Sequence, residues 1–237
     1  MTAIPSIKDN YGSNVKILGV YGANWKATIF TAASSYIATS VRCRGDVTGS
    51  PGTATASLRL TNASHQPTGA DLCVGSVNAN GWVNDWHDIP FNTPYPITAG
   101  TEYAIVLRAP SGNGSNYLSL YDCMKGAPSD VGSSDWGVTW GGAGNFGWAY
   151  QVWGCAAPIC SSANAINVTS TSTQIQGTID SMGDYSPVYA YFEYGLTALY
   201  GSLTPEQTFT TPDAFFANLS GLIKGTTYHY RGVLRYA

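Results

Sequence analysis

Thr53-Ala54-Thr55-Ala56-Ser57-Leu58-Arg59-Leu60 sets small or apolar residues at every second position with polar ones between. Successive side chains of a strand point to opposite faces, so this stretch predicts a strand with one face buried and one wet. Turn chemistry brackets it: Gly49-Ser50-Pro51-Gly52 comes before, and Gln66-Pro67-Thr68-Gly69 and Thr98-Ala99-Gly100 bring the chain back. Outward from there, runs rich in Val, Ile, Thr and Tyr recur roughly every 8–12 residues between Gly, Pro, Asn and Asp clusters, and helix-period patterning is hard to find. The expected class is all-β.

Strands are expected at 16–21, 27–30, 35–44, 52–61, 72–78, 86–91, 102–109, 117–121, 137–140 and 149–154. Without intervening helices they predict a jelly-roll-like β-sandwich over residues 15–155, preceded by an N-terminal arm, 1–14. After Cys160 the composition turns to Ser, Thr and Asn, so 156–165 is expected to be a linker and 166–237 a second β domain. Its strands are expected within 166–177 (two) and at 188–194, 207–210, 214–219 and 227–236.

Only 11% of the 237 residues are charged, against about a quarter in an average domain, while 44% are hydrophobic and 13% aromatic. A net charge of −3 with 11 Lys plus Arg offers no basic stripe for phosphates, so no nucleic-acid partner is expected. No apolar run approaches the twenty or so residues of a membrane span. Residues 1–20 do not show the ordered basic, apolar and small-residue regions of a secretory signal.

Residues 163–236 resemble the fibronectin type III-like modules of bacterial and phage surface proteins. The likeness is carried by 168–178 (VTSTSTQIQGT), 191–195 (YFEYG) and 219–231 (LSGLIKGTTYHYR), the last placing a buried Tyr228 at a sheet corner. Residues 15–154 look like a β-sandwich domain found beside such modules in phage and environmental surface proteins. That likeness is carried by 49–52 (GSPG), 67–72 (PTGADL), 98–107 (TAGTEYAIVL) and 150–154 (YQVWG). The resemblance implies a jelly-roll-like sandwich followed by a fibronectin type III or immunoglobulin-like one. Against the family pattern the chain is one strand short, so the second sandwich is expected to lack its last strand. An acceptor edge is then expected at Thr227, His229, Arg231, Val233 and Arg235, with the arm residues Ile4, Pro5 and Ile7 of another copy as donor.

Chemistry has little to work with. His65 reads as a loop residue and His229 as a half-exposed strand residue. His87, in Asp85-Trp86-His87-Asp88, has acidic neighbours that do not all share its strand face, so no triad follows. Three glutamates, Glu102, Glu193 and Glu206, supply no carboxylate pair for glycoside hydrolysis. No enzyme and no cofactor are expected; loop Asp and Asn oxygens are the only candidate ligands for a structural calcium. Cys155 and Cys160 form a C-x4-C pair and a candidate disulfide, while Cys43, Cys73 and Cys123 read as small strand residues. Trp82, Trp86, Trp136, Trp140 and Trp148, in or beside Gly/Asn/Ser-rich loops, are candidates for a glycan platform or for burial between subunits.

The expectation is a non-enzymatic structural subunit of an extracellular assembly, foremost a virion protein such as a phage decoration, tail or fibre protein. Its partners would be copies of itself or other virion or surface proteins, and its place the virion or an extracellular surface. The alternatives are a carbohydrate-binding or adhesion module that takes glycans, and a surface filament or layer subunit.

Overall fold

The structure, a computed structural model, describes residues 5–11, 15–124, 130–144 and 146–236. These residues contain strands and no helix. Two compact units divide the chain, one spanning Pro5–Gly154 and one beginning at Cys155.

The first unit is built from Ser6–Tyr11 (β1), Val15–Val20 (β2), Trp25–Thr31 (β3), Tyr36–Thr48 (β4), Thr53–Thr61 (β5), Pro67–Asn78 (β6), Asp85–Ile97 (β7), Glu102–Arg108 (β8), Tyr117–Met124 (β9), Asp130–Ser133 (β10), Gly141–Gly144 (β11), Phe146–Trp148 (β12) and Tyr150–Cys155 (β13). A seven-stranded sheet runs β1-β13-β4-β9-β12, with β2 on β9 and β7 on β4; a six-stranded sheet runs β11-β10-β3-β8-β5-β6. The inner faces of both sheets meet in one core, where Tyr36, Val41, Ile89 and Leu118 of one sheet pack with Phe30, Leu58, Ile105 and Leu107 of the other. This unit is a β-sandwich.

The stretch 53–60 forms β5 as its alternation requires, with Ala54, Ala56 and Leu58 fully buried. Leu60 departs from the pattern and is 44% exposed, because the β5–β6 register shifts between Leu58 and Leu60. The polar face departs from it too. Ser57 is fully buried, since the outer face of the six-stranded sheet carries a second apolar cluster of Ala27, Ile29, Ala104, Val106 and Val131, packed against Trp25 and Trp140. At one side of the sandwich the two sheets approach so closely that a Cβ on Gly75 of β6 would stand 1.9 Å from the Pro90 carbonyl oxygen of β7. Only glycine fits there.

The second unit comprises Ile159–Ile166 (β14), Ser172–Ser181 (β15), Val188–Gly195 (β16), Ser202–Leu203 (β17), Gln207–Phe209 (β18), Ala214–Ser220 (β19) and His229–Arg235 (β20). A three-stranded sheet, β14-β15-β19, faces a four-stranded one in which β17 and β18 pair with β16, and β20 pairs with β16 as well. Ile175, Ile179, Phe215 and Leu219 of the first sheet close on Val188, Ala190 and Phe192 of the second, with the Phe192 and Phe215 rings 4.7 Å apart. This unit is also a β-sandwich.

Three expectations are corrected. Most of the linker expected at 156–165 is strand β14, because its residues pair antiparallel with β15, in unbroken register from Cys160↔Ile179 to Ala163↔Gln176. The strand expected at 137–140 is a turn between β10 and β11, with Trp136 at φ 63° and Gly137 at φ 79°. Within the expected arm, 1–14, Ser6–Tyr11 is a strand that pairs antiparallel with β13 of its own chain.

Candidate functional site

Strand β20 borders the second sandwich. Tyr189↔Arg235 through Gly195↔His229 define its register with β16, and among the described residues it pairs with no other strand. Alternate residues of an antiparallel strand aim their main-chain groups at opposite sides. The Gly232 N–H points away from β16 and donates to Ser162 Oγ at 2.8 Å, so Tyr230, Gly232 and Leu234 carry the outward groups. This corrects the expected acceptor set. His229, Arg231, Val233 and Arg235 direct their main chain at β16, while Thr227 precedes the strand. Hydrophobicity fixes which side chains go inward, but it carries no signal for which N–H groups face the edge.

The edge is partly dressed by β14, which belongs to the opposite sheet. Besides Ser162, the Ala163 carbonyl accepts the Tyr230 hydroxyl proton. Next to the N-terminal end of β20 opens a cleft of about 310 Å³, lined largely by apolar atoms that include Ile175, Tyr194, Leu219, Leu222, Ile223 and Tyr228. The Tyr228 hydroxyl accepts the Ile223 N–H at 3.2 Å, and the ring is half-buried rather than buried. On the sheet's outer face Arg231 pairs with Glu193 and lies 4.8 Å from the Tyr200 ring centroid. Arg235 grips Glu206 with two 2.7 Å bonds and lies 4.2 Å over Tyr189. The Arg235 guanidinium holds the Glu206 carboxyl below its ordinary range.

The five candidate tryptophans do not converge. Trp148 is a fully buried core residue in a T-shaped contact with the Tyr150 ring, which removes it from any platform. Trp82 stacks flat on the His87 imidazole, 4.1 Å and 3° between planes, and packs against the main core. Trp86 is half-buried on β7 opposite Arg44. Trp140 packs on the outer apolar cluster of the six-stranded sheet, and Trp136, in the same turn, is 54% exposed. His87 Nε2 faces two acceptors, the carbonyl oxygens of Val83 at 2.8 Å and Gly45 at 3.1 Å, so it carries a proton and serves as a donor.

A cluster absent from the sequence-derived candidates lies on that outer face. Trp25 is flanked by the guanidinium groups of Arg108 at 4.9 Å and Arg59 at 5.9 Å, and its indole N–H donates to the Gly22 carbonyl. Asp71 accepts from Arg59 at 2.7 Å and from Arg108 and Ser57 at 2.8 Å each. Burial pushes the Asp71 carboxyl up, but the hydrogen bonds from Arg59 and Arg108 outweigh it and hold the group below its ordinary value. The turn 134–140 rests on this cluster, with Asp135 held down to about 2 by the Thr139 hydroxyl and N–H and by Ser133. A Cβ on Gly137 would meet the Trp25 ring at 2.5 Å. The legible signal was Arg59 itself, a long cation on the polar face of β5.

No disulfide joins Cys155 to Cys160, which corrects that expectation: Cys155 ends β13, while Cys160 is held in β14 opposite Ile179. Cys43 and Cys73 are buried free thiols, as strand residues should be, and burial pushes each up to about 12. Of the donor arm, Ile7 stands opposite Trp153 in β1, Pro5 directly precedes that strand, and Ile4 lies outside the described residues. Among the described residues no three His, Cys, Asp or Glu gather as metal ligands. No known protein family matches this chain, and no curated protein does either.

Proposed function

We propose that this chain is a structural subunit without enzymatic activity, belonging to an extracellular assembly of the virion or cell-surface kind, and that copies associate through the outward edge of β20. The observation that carries this reading is the edge itself: Tyr230, Gly232 and Leu234 turn main-chain groups outward beside an apolar cleft of about 310 Å³. Natural sandwiches seldom leave such a strand without a cover. β-Strand addition satisfies the main chain and lets alternate side chains fill an adjoining groove.

The second unit is read as a fibronectin type III-like module. Its three-on-four arrangement and the Tyr228 hydroxyl bonded five residues upstream at Ile223 support that reading. The first unit is read as jelly-roll-like, supported by its pairing of strands distant in sequence, β1 with β13 and β3 with β8.

The test is the molar mass of the whole chain by light scattering from micromolar to millimolar concentration, for the natural sequence and for Leu234→Pro. Proline at 234 removes an outward N–H and no bond to β16, and it is tolerated on an edge strand. Circular dichroism verifies that the variant keeps its sheets. Growth of the natural chain into oligomers, reduced in Leu234→Pro, supports the reading. A monomer throughout, or growth indifferent to the substitution, refutes association through β20.

A further inference from the structure

The outer face of the seven-stranded sheet holds a cleft of about 300 Å³ lined by Pro5, Thr39, Ser40, Arg42, Asp88 and Trp153. None of these residues takes part in the association proposed above. The cleft sits at an irregularity of the β4–β7 ladder, where the register jumps from Ala38↔Tyr95 to Ser40↔Pro90 and residues 91–94 of β7 stand against Thr39 alone. Bulges of this kind re-aim side chains and gather beside functional sites.

The polar groups are fixed in place. Ser40, 8% exposed, donates to Asp88 Oδ1 at 2.8 Å, and Thr39 Oγ1 donates to the Trp153 carbonyl oxygen at 3.2 Å. Trp153 is oriented by its own indole N–H, which donates to Gln151 Oε1 at 3.1 Å. Arg42 stands directly opposite Asp88 in the β4–β7 register, with its guanidinium carbon 5.6 Å from the Trp153 ring centroid. Its Nε is buried and makes no hydrogen bond within the protein. That nitrogen is closed to solvent, so a ligand meets Arg42 through the rest of its half-buried side chain and Asp88 through its exposed one.

The chemistry of the ligand follows from the set. One guanidinium and one carboxylate face each other, so the cleft offers neither an anion nor a cation a net attraction. Arg42 can only donate and Asp88 when ionised can only accept, so a ligand that serves both must carry groups that donate and accept at once. Hydroxyls do so. The aromatic wall of Trp153 and the ring of Pro5 add apolar surface suited to a face of C–H groups. We propose that this cleft binds a neutral pyranose ring, its hydroxyls bridging Arg42 and Asp88 and its C–H face against Trp153.

The experiment uses the whole chain, following the Trp153 indole N–H by NMR during titration with methyl β-glucopyranoside, methyl β-galactopyranoside or N-acetylglucosamine, and then with their linear tetrasaccharides. At least one of these sugars should give a saturable shift, with a dissociation constant on the order of 1 mM. Asp88→Asn and Arg42→Lys, which preserve shape and circular dichroism, should each weaken it about tenfold, or by ~1.4 kcal/mol. Tighter binding of the tetrasaccharide identifies a glycan chain as the source, and equal binding identifies a free or terminal sugar. No saturable shift with any of the sugars overturns the proposal, as does a shift that both variants leave unchanged.

Discussion

Asp71 is a single residue on which two cations of the first sandwich depend. It holds Arg59 and Arg108, whose side chains are only 13% and 11% exposed, on either side of Trp25. Asp71→Asn leaves two largely buried cations without their counter-charge, and a loss of roughly 3 kcal/mol is expected in urea unfolding. The pH dependence has a definite sign. A carboxyl held lower in the folded state than in the unfolded one contributes its stability above the unfolded value, about 3.9, and loses it as pH falls through the folded value. The gap between natural chain and variant should therefore be full at neutral pH and narrow below about pH 4. Thiol labelling gives a second check. Burial pushes Cys43 and Cys73 up to about 12 and raises the Cys160 thiol as well, but Cys160 is half-buried where the other two are buried, so iodoacetamide at neutral pH should modify Cys160 before Cys43 and Cys73 in the native protein. At this scale the sequence was only partly legible. Buried Cys43 could be read from its place in an apolar strand, but the Trp25 cluster could not, because its members come from β3, β5, β6 and β8 and meet only once the sheet is assembled.

At the scale of elements, alternation and turn residues located most strands, and the misses share a cause. Strand β14 carries Ser, Ser, Ala, Asn and Ala at 161–165, residues that resemble a linker when judged by composition; what makes it a strand is the ladder offered by β15. Residues 137–140 look like a strand because Val138 and Trp140 are apolar, yet they form a turn in which Val138 is 80% exposed. Two substitutions examine how elements meet. Gly75→Ala sets a methyl into the Pro90 carbonyl where the two sheets approach, and a loss of about 2–3 kcal/mol is expected in thermal or urea unfolding. Ser162→Ala removes the hydroxyl that takes the Gly232 N–H. A loss of about 1 kcal/mol is expected there, with faster hydrogen exchange at Gly232 and little change along β16. The same variant bares the edge further, so any association through β20 should strengthen.

For the whole molecule, two all-β sandwiches with few charges present edges and aromatic surface in place of charge steering. The proposed role rests on one of those edges. Within the expected donor arm, Ser6–Tyr11 already pairs with β13 of its own sandwich, so the incoming strand proposed for β20 is another exposed edge of a neighbouring copy. The most direct measurement is hydrogen exchange at single amides of β20, followed with molar mass as the natural chain is concentrated. The expected result is that the outward amides of Tyr230 and Leu234 become protected in step with the growth in mass, while the amides of Arg231 and Val233, already bonded to β16, change little. Outward amides that go on exchanging rapidly while the mass grows, or a mass that never leaves that of the single chain, would contradict it.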